Sequence, residues 1–134
     1  MTTETVNILV VGDDEEACTY LARMLSAKDW QTDIAWIGSK ALELARKNAY
    51  DAIVIDYRRP GLDGAEICRR IRESQPHARN VLMTGTQNID TVYRVVEAGV
   101  DRILGKPVDP KELVRVLEEQ LDRDVMISQK GELP

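Results

Sequence analysis

The chain has 134 residues, 43% of them hydrophobic and 31% charged, and it carries a net charge of −5 with an isoelectric point near 4.9. This composition predicts one globular domain and excludes a disordered chain. The acidic balance argues against direct binding to nucleic acid or to an anionic membrane. With no long apolar run and no signal-peptide pattern, the sequence predicts a cytoplasmic protein.

Short apolar runs alternate with amphipathic stretches along the chain. In chain order we predict strand Val6–Val11, helix Glu15–Lys28, strand Thr32–Ile37, a helix capped by Ser39 and running through Asn48, strand Ala52–Ile55, loop Tyr57–Gly64, helix Gly64–Ser74, strand Val81–Met83, helix Asp90–Ala98, strand Arg102–Leu104 and helix Pro110–Arg123. Residues 1–123 are predicted to form the domain. Residues 124–134 show no clear period and are predicted to be a tail or the start of a linker.

Local signals set the ends and buried faces of these helices. Gly99 is interpreted as the stop of the fourth helix and Asp109 as the N-cap of the fifth. The helical period predicts the buried positions of the second and fourth helices, which are Leu42, Ala45 and Ala49 in the second and Val92, Val95 and Val96 in the fourth.

This order of elements is a (βα)₅ pattern, which predicts an α/β protein. Strands joined by helices run parallel, with right-handed crossovers. Five units are too few for a barrel of eight, so we predict an open, doubly wound parallel sheet with helices on both faces. In such a sheet the functional site lies beyond the carboxyl ends of the strands, where the strand order reverses.

Polar residues follow four of the predicted strands. Four acids at positions 13–16 follow the first strand, Asp56 the third, Thr84 the fourth and Lys106 the fifth. Carboxylates that converge at one edge repel one another unless a cation lies between them, and Mg²⁺ accepts a few carboxylates plus waters. With an ammonium and a hydroxyl added, the set predicts phosphoryl transfer in which a carboxylate can be the attacking group.

Five short motifs in this order resemble the receiver domain of two-component response regulators. They are Ile8–Val11 with its following acids, Asp56 after Ile53–Ile55, the loop Pro60–Gly64, Thr84-Gly85 and Lys106-Pro107. The resemblance covers residues 6 to about 122 and implies the strand order 2-1-3-4-5. It also implies a signalling switch rather than an enzyme.

The resemblance assigns roles to the residues at the strand ends. Asp56 would accept a phosphoryl group from a sensor histidine kinase or a phosphotransfer protein, and Thr84 and Lys106 would bind phosphoryl oxygens. The change would reach the face made by the fourth helix, fifth strand and fifth helix, which would contact an output domain, a target protein or a second copy of the chain. Lys106-Pro107 would carry a cis peptide bond.

The resemblance further implies Mg²⁺ held by the carboxylates of Asp13 and Asp56 and by the backbone carbonyl of Arg58. The family usually has two acids directly after the first strand, but Gly12 fills the first of these positions here. Asp14 is the adjacent candidate to replace the missing acid, although its register directs it toward the first helix. We therefore expect weakened Mg²⁺ binding, and we expect Gly12→Asp to tighten it.

Ile103 and Arg59 are two further departures from the family pattern. Receivers usually carry Tyr or Phe three residues before the lysine, and the stiff, β-branched Ile103 cannot supply that aromatic switch. Arg59 stands where an apolar residue is common. Gly12 and Ile103 favour an alternative, in which a receiver-like domain works through protein contacts without phosphorylation.

Enzymes on the same type of sheet fit the sequence less well. A dehydrogenase would need a glycine-rich turn after the first strand, where acids would repel a pyrophosphate. A phosphatase with an aspartate nucleophile after the first strand would make no use of Asp56.

The remaining charged and thiol groups receive structural interpretations, because none of them forms a catalytic or metal-binding spacing. Carboxylates suit the first turn of a helix, arginines on one helix face of an acidic protein are usually solvated, and isolated cysteines in helical patterns are usually reduced and partly buried. These groups are Glu15, Glu16, Arg69, Arg70, Arg72, Cys18 and Cys68.

Overall fold

The computed structural model describes residues 5–57, 64–85 and 89–131, and its strands and helices alternate along the chain. The strands are β1 (Asn7–Val11), β2 (Gln31–Ala35), β3 (Ala52–Tyr57), β4 (Arg79–Thr84) and β5 (Arg102–Gly105). The helices are α1 (Glu15–Ser26), α2 (Gly38–Lys47), α3 (Gly64–Ser74), α4 (Ile89–Glu97) and α5 (Pro110–Gly131). None of the helices among the described residues combines the length and apolarity needed to cross a lipid bilayer.

The five strands form one parallel sheet in the order β2-β1-β3-β4-β5. The chain builds outward from β1 to β2 in one direction and from β3 to β5 in the other, so the order reverses where β1 and β3 lie side by side. This arrangement confirms the predicted doubly wound α/β fold. It also places the ends of β1 and β3 at the position where such sheets carry their sites.

The sheet separates two hydrophobic cores. Helices α2, α3 and α4 cover one face, where residues such as Leu9, Ile53 and Leu82 form the α2–α4 core. Helices α1 and α5 cover the other face, where residues such as Val10 and Val54 form the α1/α5 core. Successive strand residues point to opposite faces, so each central strand contributes to both cores and reads as a continuous apolar run.

β1 and β5 differ from the prediction by one residue at one end, and the other three strands differ by more. β2 begins at Gln31 and ends at Ala35, because Trp36 and Ile37, which looked like strand residues, lie outside the ladder and are exposed. β3 and β4 are longer than predicted, since Asp56 pairs with Met83 and the next residue of β3 pairs with the last residue of β4. Asp56 therefore lies within the ladder of hydrogen bonds and not after it.

Three predictions about helices were wrong. The residue that precedes the first turn of α2 is Ile37, in an extended conformation and with no side-chain cap, so Ser39 is not the N-cap. Ala49 is exposed because the chain leaves the helix at Asn48, after which the helical period no longer applies. Val96 is also exposed, whereas Val95, predicted on the same buried face of α4, is buried as expected.

The end of α5 and the bounds of the loop after β3 also differ from the prediction. α5 continues past Arg123 to Gly131, because no glycine or proline interrupts the chain before that residue. The predicted limits of the domain stay a prediction. Tyr57 belongs to β3 and Gly64 to α3, and the rest of the predicted loop, with Arg58 and Arg59, lies outside the described residues.

Candidate functional site

Asp56 and Lys106 form an ion pair at the carboxyl edge of the sheet. Asp56 lies near the end of the central strand β3 and is only 3% exposed, and its Oδ1 contacts the Nζ of Lys106. A buried carboxylate is costly unless a charge partner compensates it. Lys106 supplies that charge from just after β5, and the side chain of Lys106 retains 27% exposure to solvent.

The backbone fixes Lys106 in this position. Its N–H donates to the carbonyl oxygen of Thr84 at 2.8 Å, which ties the segment after β5 to the last residue of β4. The peptide bond from Lys106 to Pro107 is cis, as the resemblance implied. Asp56, Thr84 and Lys106 are far apart in the sequence. The parallel pairing of β3, β4 and β5 brings them to the same edge of the sheet.

Thr84 is buried at the same edge but belongs to the other face of the sheet. Alternation along β4 puts Met83 in the α1/α5 core and Leu82 in the α2–α4 core, so the Thr84 side chain shares its face with Leu82. Ile103 pairs with Leu82 and packs against the same core. Thr84 and Ile103 thus lie on one face, while Asp56 follows Val54 on the opposite face.

The four consecutive acids after β1 have different roles. Asp14 is the N-cap of α1, and its Oδ1 accepts a hydrogen bond from the N–H of Ala17 at 3.2 Å. Glu15 and Glu16 are exposed in the first turn, where carboxylates suit the helix dipole. Asp13 is exposed beside them and is not part of the cap.

The charges of three carboxylates, two from this acidic run and Asp56, act on the thiol of Cys18. The thiol is fully buried one turn into α1. Burial and then the negative charges of Asp56, Asp14 and Asp13 raise the pKa of the Cys18 thiol from 9.0 to about 11. A cysteine four residues after an N-cap faces back toward the preceding strand, and that spacing is the signal that could have located it.

Gly12 is buried between this thiol and Asp56. A Cβ built on Gly12 would lie 2.9 Å from Cys18 Sγ and 3.0 Å from Asp56 Cβ, both closer than van der Waals contact allows. The expectation that Gly12→Asp alone would tighten Mg²⁺ binding is therefore revised, because a side chain at this position requires Cys18 or Asp56 to shift. Glycine at this position is compatible with the tight packing at the end of β1.

The carboxylates present suit a cation that needs few protein ligands. The described residues contain no group of three or more His, Cys, Asp or Glu side chains arranged to hold a metal ion. Mg²⁺ is commonly bound by one or two carboxylates together with waters and phosphate oxygens. Asp13 and Asp56 are two carboxylates of the kind that Mg²⁺ accepts, and they stay a prediction as metal ligands. Asp14 caps α1 and lines the same pocket as Asp56, and Arg58 lies outside the described residues.

An open pocket of about 550 Å³ leads to the Asp56 carboxylate. Its polar lining includes Asp56 and Lys106, and its apolar walls include Tyr20, Met83 and Pro107. The pocket therefore admits a group from solvent to a buried carboxylate and a lysine, between side chains of α1 and of the segment after β5.

The arginines of α3 divide into two kinds. Arg69 and Arg70 are exposed and pair with Glu66, which lowers the pKa of the Glu66 carboxyl to about 2. Arg72 has a structural role, because its Nη1 donates to the carbonyl oxygen of Gly99 at 3.1 Å. Gly99 has a positive φ of 97° and ends α4, as predicted.

The sequence matches known proteins over most of its length. The family model of the response regulator receiver domain matches residues 8–118. Response regulator MprA of Mycobacterium sp. (strain KMS) is 34% identical over 118 residues, which are 88% of this chain and 51% of that protein. Transcriptional regulatory protein ZraR of Klebsiella oxytoca is 33% identical over 121 residues, which are 90% of this chain and 27% of that protein. The chain thus spans about half the length of MprA and less of ZraR.

Solved structures show the same architecture. A CheY-like receiver domain protein from Methanospirillum hungatei JF-1 has a TM-score of 0.87 and covers 92% of this chain and 98% of its own, at 22% identity. A response regulator from Burkholderia pseudomallei, solved with a phosphorylated aspartic acid, a calcium ion and citrate, has a TM-score of 0.79 at 27% identity and covers 96% of this chain and 75% of its own. Since the family model covers most of the sequence and the fold agrees, this chain belongs to the response regulator receiver domain family of two-component signalling.

Proposed function

We propose that this chain is a phosphoacceptor, in which Asp56 takes a phosphoryl group from a phosphohistidine of a sensor kinase or a phosphotransfer protein. The observation that carries the proposal is the buried carboxylate of Asp56 in contact with the Lys106 ammonium at the floor of an open pocket. A structural ion pair would have no need of a pocket that leads to it. The phosphorylated aspartic acid of the Burkholderia relative supports the same chemistry.

The transfer exchanges one bond to phosphorus for another. An oxygen of Asp56 attacks the phosphorus, and the phosphorus–nitrogen bond breaks while the acyl phosphate forms. The electron pair returns to the imidazole ring, which leaves as neutral imidazole when its second nitrogen carries a proton. The Lys106 ammonium can then turn from the esterified carboxylate to a phosphoryl oxygen.

A Mg²⁺ ion fits the proposal, with Asp13 and Asp56 as the protein carboxylates that would hold it. When bound, the ion would supply positive charge to the phosphoryl oxygens. The protein's own residues perform the remaining tasks: Lys106 compensates charge, the pocket admits the donor, and the Asp14 cap fixes the start of α1 beside Asp13.

The proposed output is a change at the face formed by α4, β5 and α5. An acyl phosphate adds about −1.5 to −2 charges and new acceptor oxygens at the carboxyl edge of the sheet, and Thr84 would move from the other face toward them to donate its hydroxyl to one. Ile103 packs on the same face as Thr84, but it has no phenol to expose or bury. Activation would therefore move Thr84 without a large rotamer change at Ile103. An output domain, a target protein or a second copy of the chain would bind the changed face.

The proposal is tested by incubating the protein with acetyl phosphate and Mg²⁺ and measuring its intact mass. One added phosphoryl group is expected, and it should disappear in Asp56→Asn and in excess EDTA. Asp51→Asn is the matched control, because Asp51 is an exposed aspartate at the opposite edge of the sheet, where it accepts a hydrogen bond from the N–H of Asn7. Its variant should be phosphorylated like the wild type.

Two results would refute the proposal: an adduct that persists in Asp56→Asn, or no adduct at any donor concentration. The second result would favour a receiver that acts through constitutive protein contacts. Gly12 is packed tightly against Cys18 and Asp56, where the family usually has a second acid. This packing is the observation that favours the alternative.

A further inference from the structure

Position 12 is closed from two sides. A Cβ there would lie 2.9 Å from the sulfur of Cys18 and 3.0 Å from the Cβ of Asp56. Gly12 is not among the residues with positive φ, so its backbone would accept an ordinary side chain. A side chain at position 12 therefore requires Cys18 or Asp56 to shift, although the backbone itself would accept it.

The two obstacles differ in how far they can move. Asp56 Cβ is fixed by the central strand β3, which is paired on both sides. The Cys18 sulfur belongs to a side chain on α1, fully buried in the α1/α5 core, and the N–H of Cys18 donates to the carbonyl oxygen of Asp14 at 3.0 Å. Only the thiol can be removed without breaking the sheet.

We infer that Cys18 is a positioning residue that, together with Gly12, sets the metal affinity of the site. The thiol lies 2.9 Å from the position that the Cβ of any side chain at residue 12 would take, next to Asp56. The pair therefore keeps one negative charge out of the site and supports Asp56 by packing. This inference rests on the proposed function, because it concerns the cation that the proposed reaction uses.

The inference has a specific consequence for mutagenesis. An acid introduced at position 12 next to the native thiol must displace Asp56 or the start of α1, so it should not improve binding of a cation. The same acid beside Cys18→Ala loses the closer of the two contacts, and a shift of a few tenths of an ångström relieves the remaining 3.0 Å approach of its Cβ to Asp56 Cβ. It should then tighten binding, because an added carboxylate partner of a metal site is worth about tenfold or more in affinity.

The test is a cycle of four full-length proteins: wild type, Gly12→Asp, Cys18→Ala and the double variant. Their affinities for Mn²⁺, a spectroscopic substitute for Mg²⁺, are measured by electron paramagnetic resonance of the free ion. We expect no gain in Gly12→Asp and a gain of about tenfold or more only in the double variant. Gly12→Asp with Cys68→Ala is the matched control, because Cys68 is equally buried but lies in the opposite core.

Equal gains in Gly12→Asp and in the double variant would overturn the inference, as would the same gain in the Cys68→Ala background. A double variant with no gain would overturn it as well. A second measurement needs no metal: Gly12→Ala should lower the urea midpoint of unfolding more beside native Cys18 than beside Cys18→Ala. If the wild type forms no phosphoryl adduct but this difference appears, the proposed function fails while the packing of Gly12 against Cys18 stands. If the difference is absent, the coupling itself is refuted.

Discussion

The ion pair between Asp56 and Lys106 predicts an asymmetric response to mutation. Lys106→Met keeps most of the aliphatic chain but removes the charge that compensates a carboxylate with 3% exposure. Removing one partner of a buried pair typically costs about 3–5 kcal/mol, because the other charge is left buried. Since the Lys106 side chain is 27% exposed, water partly screens the pair, and we expect the lower end, about 3 kcal/mol.

Asp56→Asn removes the other partner and should cost much less. The lysine left behind can turn its ammonium toward solvent, and the asparagine keeps the shape and one acceptor of the carboxyl group. We expect a loss of about 1 kcal/mol, the scale of a single hydrogen bond. The double variant should recover most of the stability that Lys106→Met loses, since no unpaired charge remains buried.

The assay is unfolding by urea followed by circular dichroism, in EDTA so that no cation replaces the lysine. The midpoint is expected to fall most in Lys106→Met while the slope stays constant. Lys111→Met, an exposed lysine in the first turn of α5, is the matched control and should change the free energy of unfolding by less than about 0.5 kcal/mol. A Lys106→Met variant no less stable than Asp56→Asn would refute the reasoning that the buried carboxylate depends on this lysine.

Three further results are expected. Gly99→Ala should destabilise the domain by about 1–2 kcal/mol, because φ is 97° and the new Cβ would lie 2.5 Å from an arginine side chain. Gly105→Ala is the control and should leave the stability unchanged, since no atom lies within 4 Å of its new Cβ. Thermal melting temperatures of the two variants are compared. Asp14→Ala should lower the free energy of unfolding by about 1 kcal/mol, because the helix loses its cap, and should leave the Mn²⁺ affinity unchanged. Asp13→Ala should weaken Mn²⁺ binding and leave the free energy of unfolding unchanged. Urea unfolding and electron paramagnetic resonance titrations with Mn²⁺ measure the two quantities. The free energy of unfolding should fall between pH 9 and pH 11. Burial above all raises the pKa of the Cys68 thiol from 9.0 to about 11, so this thiol ionises at lower pH in the unfolded chain than in the folded one. In Cys68→Ala the urea midpoint should therefore fall less over this pH range.

Each of these expectations can fail in a recognisable way. Equal melting temperatures of the two glycine variants would show that the backbone at Gly99 is not strained by a side chain. Loss of Mn²⁺ affinity in Asp14→Ala would show that this carboxylate reaches the cation despite its role as a cap. An unchanged slope against pH in Cys68→Ala would show that the thiol ionises equally well in the folded and unfolded chains.

The architecture was predictable because its signals are short-range and repeated. Continuous apolar runs identify strands buried on both faces, and the residues that follow them, Asp56, Thr84 and Lys106, were therefore expected at one edge. Asp14 was already directed toward the first helix by its register, and it caps α1. These conclusions needed only the period of the side chains and the rule that parallel strands end together.

Other features depended on distances that no local pattern contains. Val95 and Val96 both satisfy the apolar period of α4, but only Val95 is buried, and Val96 is exposed. Ile37 extends an apolar run beyond the ladder that ends at Ala35. The reason for Gly12 is a sulfur six residues later and a strand more than forty residues later, and only the folded chain brings them to the same position.

The alternation along β3 and β4 has a mechanical consequence. Asp56 points into the half of the molecule covered by α1 and α5, whereas Thr84 points into the half covered by α3 and α4. The two halves are separated by a rigid sheet and meet at its carboxyl rim, where the Lys106 N–H holds the Thr84 carbonyl. If phosphorylation occurs on the α1/α5 side and the conformational response on the α3/α4 side, the two are coupled at the carboxyl edge of the sheet. Substitutions in the two cores can then tune reaction rate and response separately.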